Sequence, residues 1–356
     1  MSTPPTARAT RFGTADRVKV ALLVTAFSIA FAEVTIANEP FGLIGPWVFP
    51  LQAIVYGGQA ILLASWVFRA NPRFTMAALW SAGAILGLYE FFLTGVLWGA
   101  GNEEAVIGTG GVAWWAVLVL ACFWHPILAF IVPLLIVEQL VVEQPRILGL
   151  VPAWIRRTPA WLRWPLLGVA AVFPGAFVLE RWPFWYAWIG VPGTAVALAL
   201  LVRHLRPHGK VTSLTEALPT PRALRWIGGV VVACFVVFGA SVLGENSIPS
   251  SGIVVAIALY GVAVCLLVAN LRAAVDPETV RLRWTRASWR GLVVYCVVAC
   301  VVAGIAGVAP DVGEWLKVYA MILPVWVIGG AAGFVAFLVA TRRACLAIRH
   351  TRVTPG

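Results

Sequence analysis

The sequence predicts an all-α protein, a polytopic integral membrane helical bundle of about ten transmembrane helices with both termini cytoplasmic. Three observations carry this prediction. The 356 residues are 61% hydrophobic and 12% charged, whereas a soluble domain carries about 25% charged residues. The mean hydropathy is +0.91, which excludes a water-soluble globular protein. The chain also divides into apolar runs bounded by charge, Pro or Gly, and its cations collect in alternate connections between them.

In order, the runs predict helices at 19–38, 47–68, 74–98, 112–138, 165–180, 184–202, 226–243, 252–270, 291–309 and 318–341. Each is close to the ~20 residues that cross a bilayer. With the N-terminus inside, 24 of the 26 Lys and Arg fall on inner segments, and only Arg181 and Lys317 fall outside. Glu39, Glu103, Glu104, Glu180, Glu245, Asp311 and Glu314 fall on the outer loops. An odd number of spans would put a terminal basic cluster on the wrong side. The net charge of +11 is therefore a topology signal. The expected partners are membrane lipids, with no nucleic acid, and the expected location is the prokaryotic cytoplasmic membrane. Composition says nothing of oligomeric state.

The segments outside the spans are short. Residues 1–18, with Pro4 and Pro5, form an expected flexible cytoplasmic tail, and the first apolar run lacks the small-residue cleavage site of a secretory signal. Residues 139–164 form an interfacial segment with a near repeat, Pro152-Ala153-Trp154-Ile155-Arg156 and Pro159-Ala160-Trp161-Leu162-Arg163. Alternating indoles and guanidinium groups suit the headgroup layer, or alternatively a dock for an anionic substrate. Arg281 to Arg286 have a similar make-up, and residues 342–356 form a basic tail. Glu138 and Glu143 beside Arg146 are expected to form an interfacial ion pair.

The polar content is uneven. Helices 5–10 (165–341) carry no ionisable group or histidine at mid-depth, whereas helices 1–4 (19–138) hold Glu33, Gln52, Gln59, Glu90 and His125. A charge at the centre of a span costs on the order of 3 kcal/mol on insertion scales. Each such group therefore needs a partner, a cavity or a role.

Spacing places them on faces. Gln52, Tyr56 and Gln59 follow i, i+4, i+7 in one stripe of helix 2. In helix 3, Gly83, Gly87, Glu90 and Thr94 share a stripe whose glycines let a neighbouring backbone approach just below the carboxyl. In helix 4, Trp114 stands 11 residues before His125, nearly in phase for an α-helix. Pro126 deletes a backbone donor and releases the carbonyl of Cys122. His125 can be a proton relay or the side chain that holds this kink, Glu33 is shallow enough to be solvated at the outer interface, and Glu90 can make a purely structural hydrogen bond.

The expected site comprises Glu90, His125 and Glu33 as catalytic groups, with Gln52, Tyr56, Gln59, Tyr89, Trp98 and Trp114 lining the substrate. No metal or cofactor is expected. Cys296 and Cys300, one turn apart, lack the further ligands of a metal motif, and His125 stands without a second deep histidine for heme. No phosphate-cradling Gly-rich loop or paired Asp-rich motif is present.

A carboxyl group removed from water favours its neutral form and can serve as a general acid, while aromatic faces stabilise a cation. Glu placed among intramembrane aromatics in this way resembles the bacterial integral-membrane terpene cyclases of hybrid isoprenoid pathways. The resemblance covers helices 1–4 and implies protonation-initiated cyclisation of a lipophilic, isoprenoid-containing substrate. Tyr89-Glu90-Phe91-Phe92 with Phe123-Trp124-His125-Pro126 also resembles an uncharacterised family of multi-spanning prokaryotic proteins. The alternatives are a proton-coupled transporter or exporter of a small hydrophobic molecule, since membrane acids and kinked helices serve both, and a non-catalytic membrane scaffold.

Overall fold

The computed structural model describes residues 12–34, 39–46, 48–98, 108–109, 111–178, 182–207, 209–245, 250–282 and 286–353. Glu103, Glu104, Glu180, Arg181, Arg283 and most of the N-terminal tail lie outside the described residues. The chain forms a polytopic helical membrane bundle. Its long helices are α1 (Thr14–Ala32), α2 (Phe49–Ala70), α3 (Met76–Phe91), α4 (Trp114–Val141), α5 (Ala160–Phe177), α6 (Trp185–Leu205), α7 (Pro221–Glu245), α8 (Ser250–Asn270) and α9 (Arg286–Val308). The last, α10, runs without interruption through Pro310–Lys317, Val318–Gly329 and Gly330–Val353. These helices occupy the ten predicted spans.

Seven of them, α2, α4 and α6 to α10, contain stretches long and apolar enough to cross a membrane by themselves. α3 and α5 are apolar but shorter. α1 carries Asp16, Arg17 and Lys19 in its first turns, and Asp16 there accepts the Gly13 N–H at 3.4 Å and pairs with Lys19 at 3.6 Å.

Several boundaries differ from the sequence expectation for local reasons. α1 begins inside the predicted tail, and α10 continues through the predicted C-terminal tail as far as Val353. α5 starts at Ala160 and so takes up the second Trp/Arg repeat, while Ala153–Arg156 of the first forms a single helical turn. Trp154 and Trp161 are among the most exposed side chains, as an interfacial segment requires.

The largest change is in helix 3. Thr75 caps its start, accepting from the Ala78 N–H at 3.1 Å. The α-helix stops at Gly87, a 3-10 turn covers Leu88–Phe91, and Gly95 at φ 74° turns the chain away. Trp98 then bridges to Val112, beside a small hairpin of β1 (Gly108–Thr109) and β2 (Val112–Ala113).

The predicted inner connections meet at one end of the bundle. Arg17 donates to the Leu218 carbonyl at 3.0 Å and Arg69 to that of Pro219 at 2.5 Å. Val142 bridges Val211, the Val275 N–H reaches the Arg73 carbonyl at 3.0 Å, and Arg156 pairs with Glu278 at 3.1 Å. Five segments far apart in sequence thus share one end, as alternating spans require. Glu138 accepts from the backbone N–H groups of Arg146 and Ile147 at 2.9 and 2.8 Å and feels the Arg146 charge, while the backbone carbonyl of Glu143 accepts from Arg281.

The main hydrophobic core is built on α1 to α4, with one face each of α6, α7, α8 and α10 packed around it.

Candidate functional site

α3 and α4 pack closely, and glycine is the reason. A Cβ on Gly83 would come within 2.5 Å of the Pro126 Cα, and one on Gly87 within 2.7 Å of the Ala121 Cα. The two backbones therefore touch on the turns beneath Glu90. α4 is π-helical over Val117–Ile131, a register with one extra residue per hydrogen-bonded ring. Near this irregular stretch the Trp80 indole donates to the Cys122 carbonyl at 2.7 Å, the acceptor expected to be freed by Pro126. Two further bonds fix α1 against α4, from Ser28 to the Ala129 carbonyl at 2.7 Å and from the Trp124 indole to the Ala32 carbonyl at 3.2 Å.

Within this frame four helices deliver one continuous polar chain. Glu33, at the C-terminus of α1, accepts a hydrogen bond from the Tyr56 hydroxyl of α2. Tyr56 is in turn hydrogen-bonded to the Tyr89 hydroxyl of α3. Tyr89 Oη lies 3.3 Å from His125 Nε2 of α4, and the same nitrogen lies 3.3 Å from Glu90 Oε1. Glu90 Oε2 is hydrogen-bonded to the Thr94 hydroxyl, which also donates to the Glu90 carbonyl at 3.1 Å. Glu33, Tyr56, Tyr89, Glu90 and His125 are all buried, whereas Thr94 is exposed. The rings hold one another: His125 stacks on Tyr56 at 6.0 Å and meets Tyr89 edge-on at 5.3 Å.

The histidine tautomer follows from geometry. His125 Nδ1 lies 3.0 Å from the Leu120 carbonyl, and a carbonyl oxygen can only accept, so Nδ1 carries a hydrogen. Nε2 is then the nitrogen that gains or loses a proton, and it faces both a phenol and a carboxyl. A carboxylate and a bare nitrogen lone pair face each other favourably only with a proton between them.

The structure thus brings together Glu33, Tyr56, Tyr89, Glu90 and His125, with Thr94. The other expected site residues are placed elsewhere. Gln59 donates to the Val55 carbonyl at 2.8 Å in its own helix. The π turn Ala53–Gly58 breaks the α-helical stripe that related it to Gln52 and Tyr56. Gln52 is buried against Gly42 of the connecting loop, and its carbonyl oxygen has no hydrogen-bond partner among the described residues. Trp98 donates to the Phe91 carbonyl at 2.6 Å and packs edge-on against Phe91, so it braces the turn behind Glu90. Trp114 packs against a second hydrophobic cluster with Leu97, Trp98 and Val112. Its expected alignment with His125 assumed an α-helical phase, which the π register removes.

One residue was not anticipated. Tyr260 of α8 packs against Phe92 at 6.0 Å, and its buried hydroxyl has no partner among the described residues. Its signal in the sequence was a lone tyrosine in an apolar run. A separate groove of about 510 Å³ between α6 and α9 is lined by aliphatic side chains with Trp289, Cys296 and Cys300. It brings no acid or base to its walls.

A family model described as an uncharacterized membrane protein family matches residues 22–349. An uncharacterized protein of Archaeoglobus fulgidus is 35% identical over 123 residues, 33% of this chain and 37% of that protein. The chain therefore matches well under half the length of this relative. No solved structure matches.

Proposed function

We propose that this chain, which belongs to the uncharacterized membrane protein family whose model it matches, is an intramembrane acid–base enzyme of the prokaryotic cytoplasmic membrane. Its substrate is lipophilic and isoprenoid-containing. Glu90 is the general acid, and the observation that carries this reading is its pairing with His125 Nε2 at 3.3 Å in a buried, aromatic setting. Glu90 gives its proton to a carbon–carbon double bond, a second double bond attacks the resulting cation, and loss of a proton completes a ring. The change is an isomerisation and needs no oxidant, nucleotide or metal. Phe91 and Phe92 supply aromatic faces beside the acid, and the Tyr260 hydroxyl, without a partner among the described residues, is a group left over to meet a polar part of the substrate. A general acid of this kind contributes on the order of 10²–10⁴ in rate.

The decisive experiment compares all small molecules in deletion, wild-type and Glu90→Gln strains. A lipophilic product present only in the wild type is expected, with its acyclic precursor raised in the other two at equal protein level. Normal product in Glu90→Gln would end the assignment.

A second reading, a proton-coupled carrier, draws on one observation. α10 is π-helical over Val318–Gly329 and meets the π-helical part of α4 where Gly329 lies against Phe123. Paired irregular helices are a usual device at transport sites. That reading requires substrate accumulation that collapses with a protonophore, whereas catalysis survives in detergent.

A further inference from the structure

We propose that Tyr56 and Tyr89 are relay residues that carry a proton between Glu33 and Glu90, making the two acids one proton-sharing unit. This rests on the reading of Glu90 as the acid. In an isomerisation the proton given at one point of the substrate is recovered at another, so an enzyme that collects it on Glu33 must return it to Glu90. The polar chain provides that return. Hydrogen bonds run from Glu33 Oε1 through Tyr56 and Tyr89 to His125 Nε2, and that nitrogen stands 3.3 Å from Glu90 Oε1. Both phenols are only 2% exposed, so bulk water does not interrupt them.

The proton balance closes. A proton on Glu33 passes to the Tyr56 oxygen as the Tyr56 hydroxyl proton passes to the Tyr89 oxygen and that of Tyr89 to His125 Nε2. The imidazolium so formed keeps its Nδ1 hydrogen on the Leu120 carbonyl and gives the Nε2 hydrogen to the Glu90 carboxylate. Glu33 ends as a carboxylate, Glu90 as an acid and His125 as the neutral ring, and no bond between heavy atoms changes. Rotation of the two hydroxyls resets the path. Other groups at the site are Thr94 on the far side of Glu90 and the Tyr260 hydroxyl on α8. Thr94 is exposed and offers Glu90 a competing route to the surface, which the test must close.

The test is hydrogen–deuterium exchange of the full chain in phospholipid vesicles, followed by infrared spectroscopy. The carboxyl and imidazolium bands of the Glu90–His125 pair are identified as those lost in Glu90→Gln. In a Thr94→Val background, adding Tyr56→Phe, Tyr89→Phe or Glu33→Gln should each slow exchange of these bands at least tenfold. Each variant must keep the helical circular dichroism of the parent; phenylalanine keeps the ring, and Glu33→Gln keeps the shape if either tyrosine change unfolds the protein. Exchange as fast with these changes as without them overturns the relay. So does exchange already abolished by Thr94→Val alone, or the lack of any band sensitive to Glu90→Gln. Tyrosine-dependent exchange with unchanged small-molecule profiles would keep the relay and refute the enzyme. Glu90-dependent product with tyrosine-independent exchange would do the reverse.

Discussion

The first four helices and the last six obey different rules. In the spanning windows of α2 and α4, 67% and 56% of residues are buried within the protein, whereas in α7 the share is 17%. α5 to α10 turn rows of Val, Ile, Leu and Trp outward, where lipid is as good a neighbour as protein. Interior helices have no such option on most of their surface, so small residues and buried polar groups must satisfy them on more sides, while the outer helices use such contacts only locally, as where Gly175 meets Ala299 and Asn270 donates to the Ala340 carbonyl. The polar chain lies in α1 to α4, which form most of the main hydrophobic core. In this molecule the intramembrane acids sit on helices that are mostly enclosed by protein.

That contrast can be broken by paired substitutions. The largest difference is expected from truncation. Leu79→Ala in α3, fully buried, should cost about 2–5 kcal/mol of stability, as cavity-forming changes do. Val237→Ala in α7, with 62% of its surface exposed, should stay within about 0.5 kcal/mol. Thermal unfolding in one detergent measures both, and equal losses would mean that α7 is covered by a partner.

Next in size is crowding. Gly87→Leu must displace the α4 backbone and should cost about 1–3 kcal/mol or more. For Gly261→Leu in α8, where an added Cβ meets nothing within 4 Å, the same assay should show no loss. A tolerated Gly87→Leu would disprove the close α3–α4 contact.

The smallest contrast compares two similar hydrogen bonds. Trp80 donates to the Cys122 carbonyl and Trp188 to the Cys300 carbonyl, both at 2.7 Å. Trp80→Phe leaves a buried acceptor in the interior and should cost about 1–2 kcal/mol. Trp188, 49% exposed, should matter by less than about 0.5 kcal/mol on the same change. Similar losses would show that position in the bundle does not set the value of the bond.

Much of this architecture was legible in the sequence, because charge sorting and apolar run length act on every span independently. The ten spans, the meeting of the basic connections and the close approach at Gly83 and Gly87 follow from local composition. That Glu33, Glu90 and His125 belong to the first four helices was legible, but whether they meet was not, because it depends on how the helix faces are turned. What could not be read was phase. Leu, Val, Ala and Phe fill α and π registers equally well, so the π stretches in α2 and α4 left no mark, and the facing of Trp114 and Gln59 was misjudged for that reason. The end of the α-helix at Gly87 was hidden for a related reason. Leu88 to Leu93 is as apolar as the helix before it apart from Glu90 itself, and only Thr94-Gly95 marks the turn. Tyr56 and Tyr89 were expected to face a substrate, but a hydroxyl between two acids is recognisable as a bridge only once both acids are in place.

The connections that fasten the basic end have a consequence for how the molecule is made. α1 to α4 leave the ribosome before α5 to α10 and carry the intramembrane acids. Several contacts that hold their ends, at Val211, Leu218, Pro219, Val275 and Glu278, belong to segments synthesised later. Ten residues of chain are added in about a second, so the early helices wait several seconds in the bilayer before their last fastenings arrive. During that interval α1 to α4 are held by what they share among themselves: their hydrophobic core, the Ser28, Trp124 and Trp80 bonds and the network of Glu33, Tyr56, Tyr89 and His125.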